Sequence, residues 1–148
     1  MKEEKSLGDR KLNVTIYDTT LRDGSQAEGI SFSLEDKLQI ARRLDFLGVS
    51  YIEGGWPGSN PKDLEFFKLI QSQGLDHSRI AAFSSTRKPN ISVKQDVNLQ
   101  ALLDSGAPTA TLVGKSWDFH VLTALETTLE ENLNMIRESI TYLKDKNR

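Results

Sequence analysis

The stretch YDTTLRDGSQ at residues 17–26 and the stretch YIEGGWP at residues 51–57 decide the fold. Each begins as a short apolar strand and ends in charged or glycine-rich residues, and one helical pattern separates the two. Parallel strands joined by a helix bring their carboxyl ends to the same edge of a sheet. We therefore expect Arg22, Asp23 and Glu53 to meet at that edge, where they would hold a cation and stabilise an oxyanion.

Strand and helix patterns alternate along the chain at a regular interval. Apolar runs predict strands at residues 13–17, 49–53, 79–83 and 109–113, which recur about every 30 to 36 residues. This recurrence indicates successive right-handed βαβ units and a parallel sheet. A complete (β/α)8 barrel needs roughly 250 residues, so we predict an α/β fold that is the N-terminal half of a TIM barrel. An open, flavodoxin-like sheet is the competing architecture.

Capping residues mark where the helices begin. Ser33 precedes the first helical pattern, and a proline directly after Asn60 opens the second. The last helix begins at Thr127 or Thr128, because each threonine has a glutamate three residues later. A third helix is predicted around residues 99–103. The apolar side chains expected to face the core of the first and last helices are Leu34, Leu38, Ala41, Leu44 and Leu47, and Leu129, Leu133, Ile136, Ile140 and Leu143.

Length and composition bound the class of protein. The 148 residues are 37% hydrophobic and 27% charged, which predicts one globular domain at residues 13–148 behind a polar lead at residues 1–12. A net charge of -2 gives no reason to expect nucleic acid or an anionic membrane as a partner. No apolar run approaches the ~20 residues that span a bilayer. Cysteine is absent, which excludes disulfides and thiolate chemistry, and we expect a cytoplasmic protein.

The loops at the two ends of the predicted sheet differ in length and composition. The loops that follow the strands, at residues 18–30, 54–60, 84–90 and 114–123, are rich in Gly, Ser, Asp and Arg. The turns at the opposite end are short and plain. Ligands of parallel α/β folds bind at the carboxyl ends of the strands. The asymmetry therefore predicts an active-site rim formed by these four loops.

The adjacent pair of Arg22 and Asp23 has two interpretations. An arbitrary surface ion pair contributes about 1 kcal/mol or less to stability. In the functional interpretation, Asp23 binds a divalent cation and Arg22 stabilises negative charge on a bound carbonyl group. Glu53 would then hold the guanidinium group through two parallel hydrogen bonds. Gly54 and Gly55 favour this interpretation, since missing side chains let a small ligand approach the backbone.

The two histidines of the chain fall at opposite ends of the sheet. His120 follows the predicted fourth strand and is a candidate for substrate contact, although a lone loop histidine is more often solvated. His77 lies at the other rim, where a structural role is expected. The string GKS at residues 114–116 is not a phosphate-binding loop, because Thr109 stands where the motif requires a glycine.

Residues 17–63 closely resemble the N-terminus of the superfamily that contains α-isopropylmalate synthase, homocitrate synthase and citramalate synthase, the DRE-TIM metallolyases. The LRDG-Q signature at residues 21–26 is specific to that group, and the resemblance extends over residues 12–144. The strings EGGWPGSNPKD at residues 53–63 and GKSWDFHV at residues 114–121 are most similar to the citramalate synthase branch.

The resemblance implies a Claisen-type condensation of acetyl-CoA with pyruvate, which gives citramalate in isoleucine biosynthesis. At matching positions it implies Asp23 as a ligand of a divalent metal (Mg, Mn or Zn) and Arg22 as the stabiliser of the enolate or alkoxide. It further implies that Glu53 orients the arginine and that Gln26 and His120 contact the 2-keto acid. A 2-isopropylmalate synthase, a homocitrate synthase and a lyase of the same superfamily are the alternatives.

The chain departs from the family pattern in its metal ligands. The family takes two further ligands from a His-x-His pair on a later strand, and this sequence contains no such pair. We therefore expect an N-terminal fragment that is inactive in isolation. A non-catalytic half-barrel is the alternative. In either case we expect a homodimer or other self-associated species, because the edge strands are unpaired. Apolar sheet residues expected to lose their facing layer are Ile16, Ile52, Ala82 and Leu112.

Overall fold

The computed structural model describes residues 14–148. Its strands are β1 (Tyr17–Asp18), β2 (Tyr51–Gly55), β3 (Arg79–Ser85) and β4 (Thr109–Val113). Each strand pairs in parallel with the next, so the order in the sheet is β1-β2-β3-β4. This sequential order is that of a TIM barrel and confirms the predicted fold class. A flavodoxin-like sheet would place the first strand inside the sheet, between the second and third.

Within residues 14–148, five α-helices connect and flank these strands. Their bounds are α1 (Leu34–Phe46), α2 (Pro61–Gln73), α3 (Val97–Asp104), α4 (Asp118–Thr123) and α5 (Leu129–Asp145). Ser33 forms a capping box with Asp36, and Thr128 rather than Thr127 caps α5 by accepting a hydrogen bond from Glu131 N. The short helix α4 was not predicted, because six residues are too few for a periodic pattern and no side chain caps its first turn. No helix within residues 14–148 is long and apolar enough to cross a membrane.

The first two strands are displaced from their predicted positions. Strand β1 has only two residues, because Ser50 Oγ rather than the neighbouring backbone accepts the hydrogen bond from Ile16 N. Strand β2 begins two residues later than predicted, since the N–H of Val49 is bonded back to Leu44 at the end of α1. The predicted start of β1 at residue 13 and the polar lead at residues 1–12 lie outside the described residues.

The hydrophobic core lies between the sheet and helices α1, α2 and α3. Its fully buried side chains include Leu21, Ile52, Phe66, Phe67, Leu99 and Leu102. The prediction for α1 is wrong at Leu47, which is 74% exposed because the helix ends at Phe46. The apolar seam predicted for α5 is also largely wrong. The residues that α5 buries are Asn132, Met135, Ser139 and Leu143, whereas Leu129, Leu133 and Ile140 are exposed.

The two faces of the sheet differ in polarity. Ile52 and Ala82 belong to the helix-covered core, which corrects the expectation that they face the barrel interior. Successive side chains of a strand point to opposite faces, so the neighbours Glu53 and Phe83 project from the other face. Ile16, at the uncovered edge, is 55% exposed. The face that a barrel would enclose is therefore polar and aromatic.

Candidate active site

The loop after β1 folds into a compact turn that presents Arg22 at the carboxyl end of the sheet. Thr19 O accepts hydrogen bonds from the backbone N–H groups of Arg22, Asp23 and Gly24, at 3.2, 2.8 and 3.1 Å. The Leu21 side chain is fully buried and anchors the turn in the core. Burial of Leu21 leaves its neighbour Arg22 facing the rim, so the apolar residue fixes the direction of the cation.

The Arg22 guanidinium group contacts the Glu53 carboxylate from the adjacent strand. Arg22 Nε donates to Glu53 Oε1, and the Tyr17 hydroxyl donates to Glu53 Oε2 at 2.5 Å. Glu53 is only 2% exposed, and each of its oxygens accepts a hydrogen bond from a side chain. The two parallel hydrogen bonds expected between Arg22 and Glu53 are not formed, because Tyr17 occupies the second oxygen.

Tyr17 also links the first strand to the fourth. Its hydroxyl lies 2.6 Å from Thr111 Oγ1 of β4. Three strand spacings in a flat sheet would separate these strands by about 14 Å, so the contact requires the sheet to curl as in a barrel. Burial raises the pKa of the Tyr17 phenol, and the hydrogen bond with Thr111 and the charge of Arg22 only partly oppose the shift. The phenol therefore keeps its proton and serves as a donor to Glu53.

Aromatic side chains hold the guanidinium group from another direction. Arg22 Cζ lies 4.0 Å from the centre of the Phe83 ring of β3, within the range of a cation–π interaction. Trp56 packs edge-on against Phe83, with ring centres 5.3 Å apart. The planar cation thus bonds Glu53 through Nε and packs one face on Phe83.

The glycines after Glu53 are required by packing against α2. A Cβ atom at Gly54 would overlap the Phe66 ring, and one at Gly55 would overlap the Asp63 carboxylate. The space left by the missing side chains is therefore filled by the protein itself. This finding replaces the expectation that these glycines leave room for a ligand.

Asp23 and Gln26 lie beside Arg22 on the solvent side of the rim. Asp23 Oδ1 is 3.4 Å from Arg22 Nη1, and its side chain is 60% exposed. Gln26 ends a short 3₁₀ turn and lines a cleft of about 260 Å³ together with Arg22 and Trp56. Within residues 14–148, no group of three His, Asp or Glu side chains is placed to hold a metal ion.

His120 lies on α4 rather than in an extended loop. Its side chain is exposed, and its ring packs against Trp117 and Phe119 at centre distances of 4.6 and 6.2 Å. In the part of the chain that the structure describes, no hydrogen bond or ring contact joins it to Arg22 or Gln26. The structure therefore brings together Arg22, Asp23, Glu53 and Gln26 and leaves His120 apart from them.

Sequence reasoning did not identify Tyr17, Phe83 and Thr111 as parts of this site. The signal for them is strand alternation combined with register. Phe83 pairs with Thr111 in the sheet, and both project from the same face as Glu53. Tyr17 pairs with Tyr51, two residues before Glu53. Finding them from sequence requires the register between strands, which single-strand patterns do not supply.

The chain is similar to known proteins in sequence and in fold. A model of the HMGL-like family matches residues 13–148. The chain is 55% identical over 139 residues to the (R)-citramalate synthase of Synechocystis sp., an alignment that covers 94% of this chain and 25% of the relative. It is 56% identical over 131 residues to the (R)-citramalate synthase of Aquifex aeolicus, covering 88% of this chain and 25% of the relative. The 2-isopropylmalate synthase of Sulfolobus acidocaldarius is 39% identical over 132 residues, covering 89% of this chain and 32% of that relative.

The chain thus spans about a quarter of the length of the citramalate synthases that it matches. Among solved structures, the HMG-CoA lyase of Bacillus subtilis superposes with a TM-score of 0.68 at 22% identity, covering 90% of this chain and 43% of the lyase. The hydroxymethylglutaryl-CoA lyase of Pseudomonas aeruginosa gives a TM-score of 0.67 at 20% identity, with the same coverage. At these identities the superpositions show the fold alone. Because the family match extends over nearly the whole chain, this protein belongs to the HMGL-like family.

Proposed function

We propose that this chain carries the arginine-and-glutamate part of the active site of an acyltransferase that condenses acetyl-CoA with pyruvate to give citramalate. The observation that carries the proposal is the contact between Arg22 and Glu53 at the carboxyl ends of two adjacent parallel strands. The relatives at 55% and 56% identity support pyruvate as the 2-keto acid. The relatives at 39% identity make a 2-isopropylmalate or homocitrate synthase the weaker alternative.

In the proposed reaction, acetyl-CoA loses a methyl proton to give its enolate, and the enolate carbon forms a bond to the keto carbon of pyruvate as the C=O π bond breaks. The keto oxygen becomes an alkoxide that takes up a proton, and hydrolysis of the thioester releases CoA. Arg22 would stabilise the negative oxygen through the guanidinium N–H groups that do not donate to Glu53. A fixed donor of this kind stabilises a transition state without rearranging during the reaction.

Glu53 and Tyr17 would act through Arg22 rather than on the substrate. Glu53 fixes the direction of the guanidinium group, and the protonated Tyr17 phenol fixes the carboxylate. Gln26 lines the same cleft and is a candidate contact for the 2-keto acid. His120 remains a proposed substrate contact on the resemblance alone, and a cytoplasmic location remains a prediction from the sequence.

The family resemblance also implies a divalent metal. The exposed Asp23 carboxylate beside Arg22 has the chemistry of one hard-cation ligand. Because the described residues contain no group of three acidic or histidine side chains placed to hold a metal, they do not fit a complete site. The isolated chain is expected to release no CoA above background from acetyl-CoA and pyruvate.

A chimera tests the proposed function directly. Residues 13–148 of this chain would replace the matching quarter of the Synechocystis relative, and thiol release would be measured with acetyl-CoA and pyruvate. We expect turnover within about tenfold of the parent enzyme, a difference of ~1.4 kcal/mol in the barrier. We also expect pyruvate to be preferred over 3-methyl-2-oxobutanoate. A folded chimera without activity, or one that prefers the larger keto acid, would reject the proposal.

The matched variants of the chimera are Arg22→Lys and Arg42→Lys. The first keeps the charge at the site but removes the planar donor edge, and kcat is expected to fall by about 10²–10³-fold. Arg42 is an exposed residue of α1 that bonds Gln73, so its replacement should leave kcat unchanged. Equal effects of the two variants would show that Arg22 has no special role.

A non-catalytic, self-associating half-barrel is a second candidate, favoured by the exposed apolar side chains of α5. Leu129, Leu133 and Ile140 are 50, 59 and 46% exposed, and apolar side chains grouped on one helix favour association. In sedimentation velocity, we expect Leu133→Glu to shift the isolated chain toward the monomer. Thr141→Glu, an exposed polar position of the same helix, is the control. A wild-type chain that stays monomeric at all concentrations would exclude self-association.

A further inference from the structure

A buried ion pair lies beneath the turn that follows β2. Lys37 of α1 and Asp63 of α2 are 4% and 6% exposed, and Lys37 Nζ donates to Asp63 Oδ1. The same ammonium group donates to Gly54 O at 3.0 Å. Asp63 Oδ2 accepts the Trp56 N–H at 2.9 Å. The pair therefore joins two helices to one carbonyl and one N–H of the same strand end.

The strand end that the pair holds is irregular. Glu53 pairs with Ala81 and Gly55 with Ala82, so one extra residue is inserted immediately after Glu53. Gly55 has a φ of 148°, and a Cβ atom there would overlap the Asp63 carboxylate. Bulges of this kind interrupt the ladder and redirect the side chains next to them. The ion pair bonds Gly54 O at this bulge and Trp56 N just after the strand end.

The arrangement is better suited to fixing geometry than to adding stability. A buried ion pair is often replaceable by apolar side chains of similar volume without loss of stability. Here, however, the two charges satisfy Gly54 O at the bulge itself and Trp56 N two residues later. An apolar pair would leave these backbone groups without partners inside the protein, and the strand end could relax. Glu53 is one residue upstream and would relax with it.

We propose that Lys37 and Asp63 are positioning residues that lock the bulge after Glu53 and thereby aim the Glu53 carboxylate at Arg22. The importance of this direction for catalysis rests on the proposed function. The coupling between the Lys37–Asp63 pair and the Glu53 carboxylate does not. Both side chains line the cleft that contains Arg22 and Gln26, but within the described residues their hydrogen bonds go to each other and to the backbone of Gly54 and Trp56. The pair acts through the backbone of Gly54, Gly55 and Trp56.

The Arg22 Nε–H resonance reports the coupling in the 148-residue chain. A ¹H–¹⁵N spectrum resolves arginine Nε–H groups that are hydrogen-bonded to carboxylates, and their exchange with water measures local opening. Arg87 provides a reference in the same spectrum, since its Nε donates at 2.7 Å to Glu138 Oε2 of α5 and not to a group of β2. In Lys37→Met, we expect exchange at Arg22 to accelerate by at least about tenfold, with exchange at Arg87 unchanged.

Two further variants keep the test decisive. Lys37→Met combined with Asp63→Asn removes both charges and avoids a lone buried carboxylate, so it serves if the single variant does not fold. Lys62→Met removes an exposed cation of α2 that lines the same cleft, and it should leave Arg22 exchange as in the wild type.

Unchanged exchange at Arg22 in the folded double variant would overturn the proposal. Equal acceleration at Arg22 and Arg87 would also overturn it, because the pair would then serve general stability alone. The measurement requires no turnover. A chimera that fails to release CoA therefore counts against the proposed function and not against the coupling, whereas an unchanged Arg22 resonance rejects the coupling even in an active chimera.

Discussion

The two ends of the sheet each bury an acid, and the partners of the two acids differ. At the amino end, Asp45 is 7% exposed and accepts three successive backbone N–H groups from the turn at residues 76–78, at 3.0, 2.8 and 2.6 Å. At the carboxyl end, Glu53 is 2% exposed and is bonded by the side chains of Arg22 and Tyr17. The first acid closes a turn, and the second orients side chains.

The kind of partner separates a structural acid from a functional one. Backbone donors are fixed by the fold, so Asp45 has no remaining role once the turn is closed. Within residues 14–148, His77 takes part in this turn only through its backbone N–H, which donates to Asp45 Oδ1. The partners of Glu53 are side chains with further donors and acceptors, and these face the open side of the sheet. Loss of the two acids should therefore affect different properties.

The largest effect on stability is expected from Asp45→Ala. Three N–H groups lose their acceptor, and each unsatisfied buried donor costs about 1–3 kcal/mol. Because water reaches part of this surface turn, we expect the free energy of unfolding to fall by about 3 kcal/mol in total. Urea denaturation measures the change. Asp76→Ala, at an exposed position of the same turn, is the control and should stay within about 0.5 kcal/mol of the wild type.

Glu53→Gln, in contrast, should lower kcat strongly and the free energy of unfolding only slightly. The amide oxygen still accepts one hydrogen bond, and Arg22 is 19% exposed and reaches water, so the loss in unfolding free energy is expected to be about 1 kcal/mol. In the chimera, kcat should nevertheless fall by about 10²-fold because the guanidinium group is no longer held. An active Glu53→Gln chimera, or one destabilised as strongly as Asp45→Ala, would erase the distinction between the two acids.

Local signals predicted most of the fold. Ser33, Asn60 and the threonines before α5 announce helix starts through contacts within three residues, which sequence alone contains. The ends of β1 and β2 depend instead on which neighbouring group accepts a hydrogen bond, as at Ser50. The apolar face of α5 was misplaced for a similar reason, because it too depends on neighbouring elements. Helical periodicity identifies an apolar face but not the element that covers it.

The candidate site was predictable where it follows from strand ends and not where it follows from curvature. Arg22 and Glu53 come directly after apolar runs, so their meeting follows from parallel pairing. The contact between Tyr17 and Thr111 joins residues 94 positions apart and exists only because the sheet curls. The requirement for glycine at position 55 likewise depends on where α2 packs, because the Asp63 carboxylate of that helix occupies the space where a Cβ atom would lie.

Tyr17→Phe tests how much of the carboxyl-end network depends on the phenol. The variant removes a donor to Glu53 and a partner of Thr111 but keeps the ring that stacks on Tyr51 at 6.1 Å. We expect the free energy of unfolding to fall by about 1 kcal/mol. The Arg22 Nε–H resonance should shift while that of Arg87 stays in place. Thr111→Val is the companion variant, and a resonance that responds to it but not to Tyr17→Phe would remove Tyr17 from the network.

The smallest expected effect is a pH dependence of the unfolding free energy that comes from Asp45 at the amino end of the sheet. Burial alone would raise the pKa of the Asp45 carboxyl, but the hydrogen bonds from Ser78, Asp76 and His77 outweigh burial and lower it. A lowered pKa means that Asp45 stabilises the fold above its unfolded pKa of about 3.9 and loses that contribution as the pH falls through the folded value.

The difference in unfolding free energy between the wild type and Asp45→Asn should therefore be largest near pH 6 and shrink below about pH 4. Urea denaturation at several pH values, at concentrations where the chain is monomeric, measures this difference. Asp76→Asn is the matched control and should follow the wild type at every pH. A difference that stays constant from pH 6 to pH 3 would mean that the charge of Asp45 contributes nothing beyond its shape. Asp45 would then act as an uncharged hydrogen-bond acceptor would. It would differ from Glu53 only in having backbone groups, rather than side chains, as its partners.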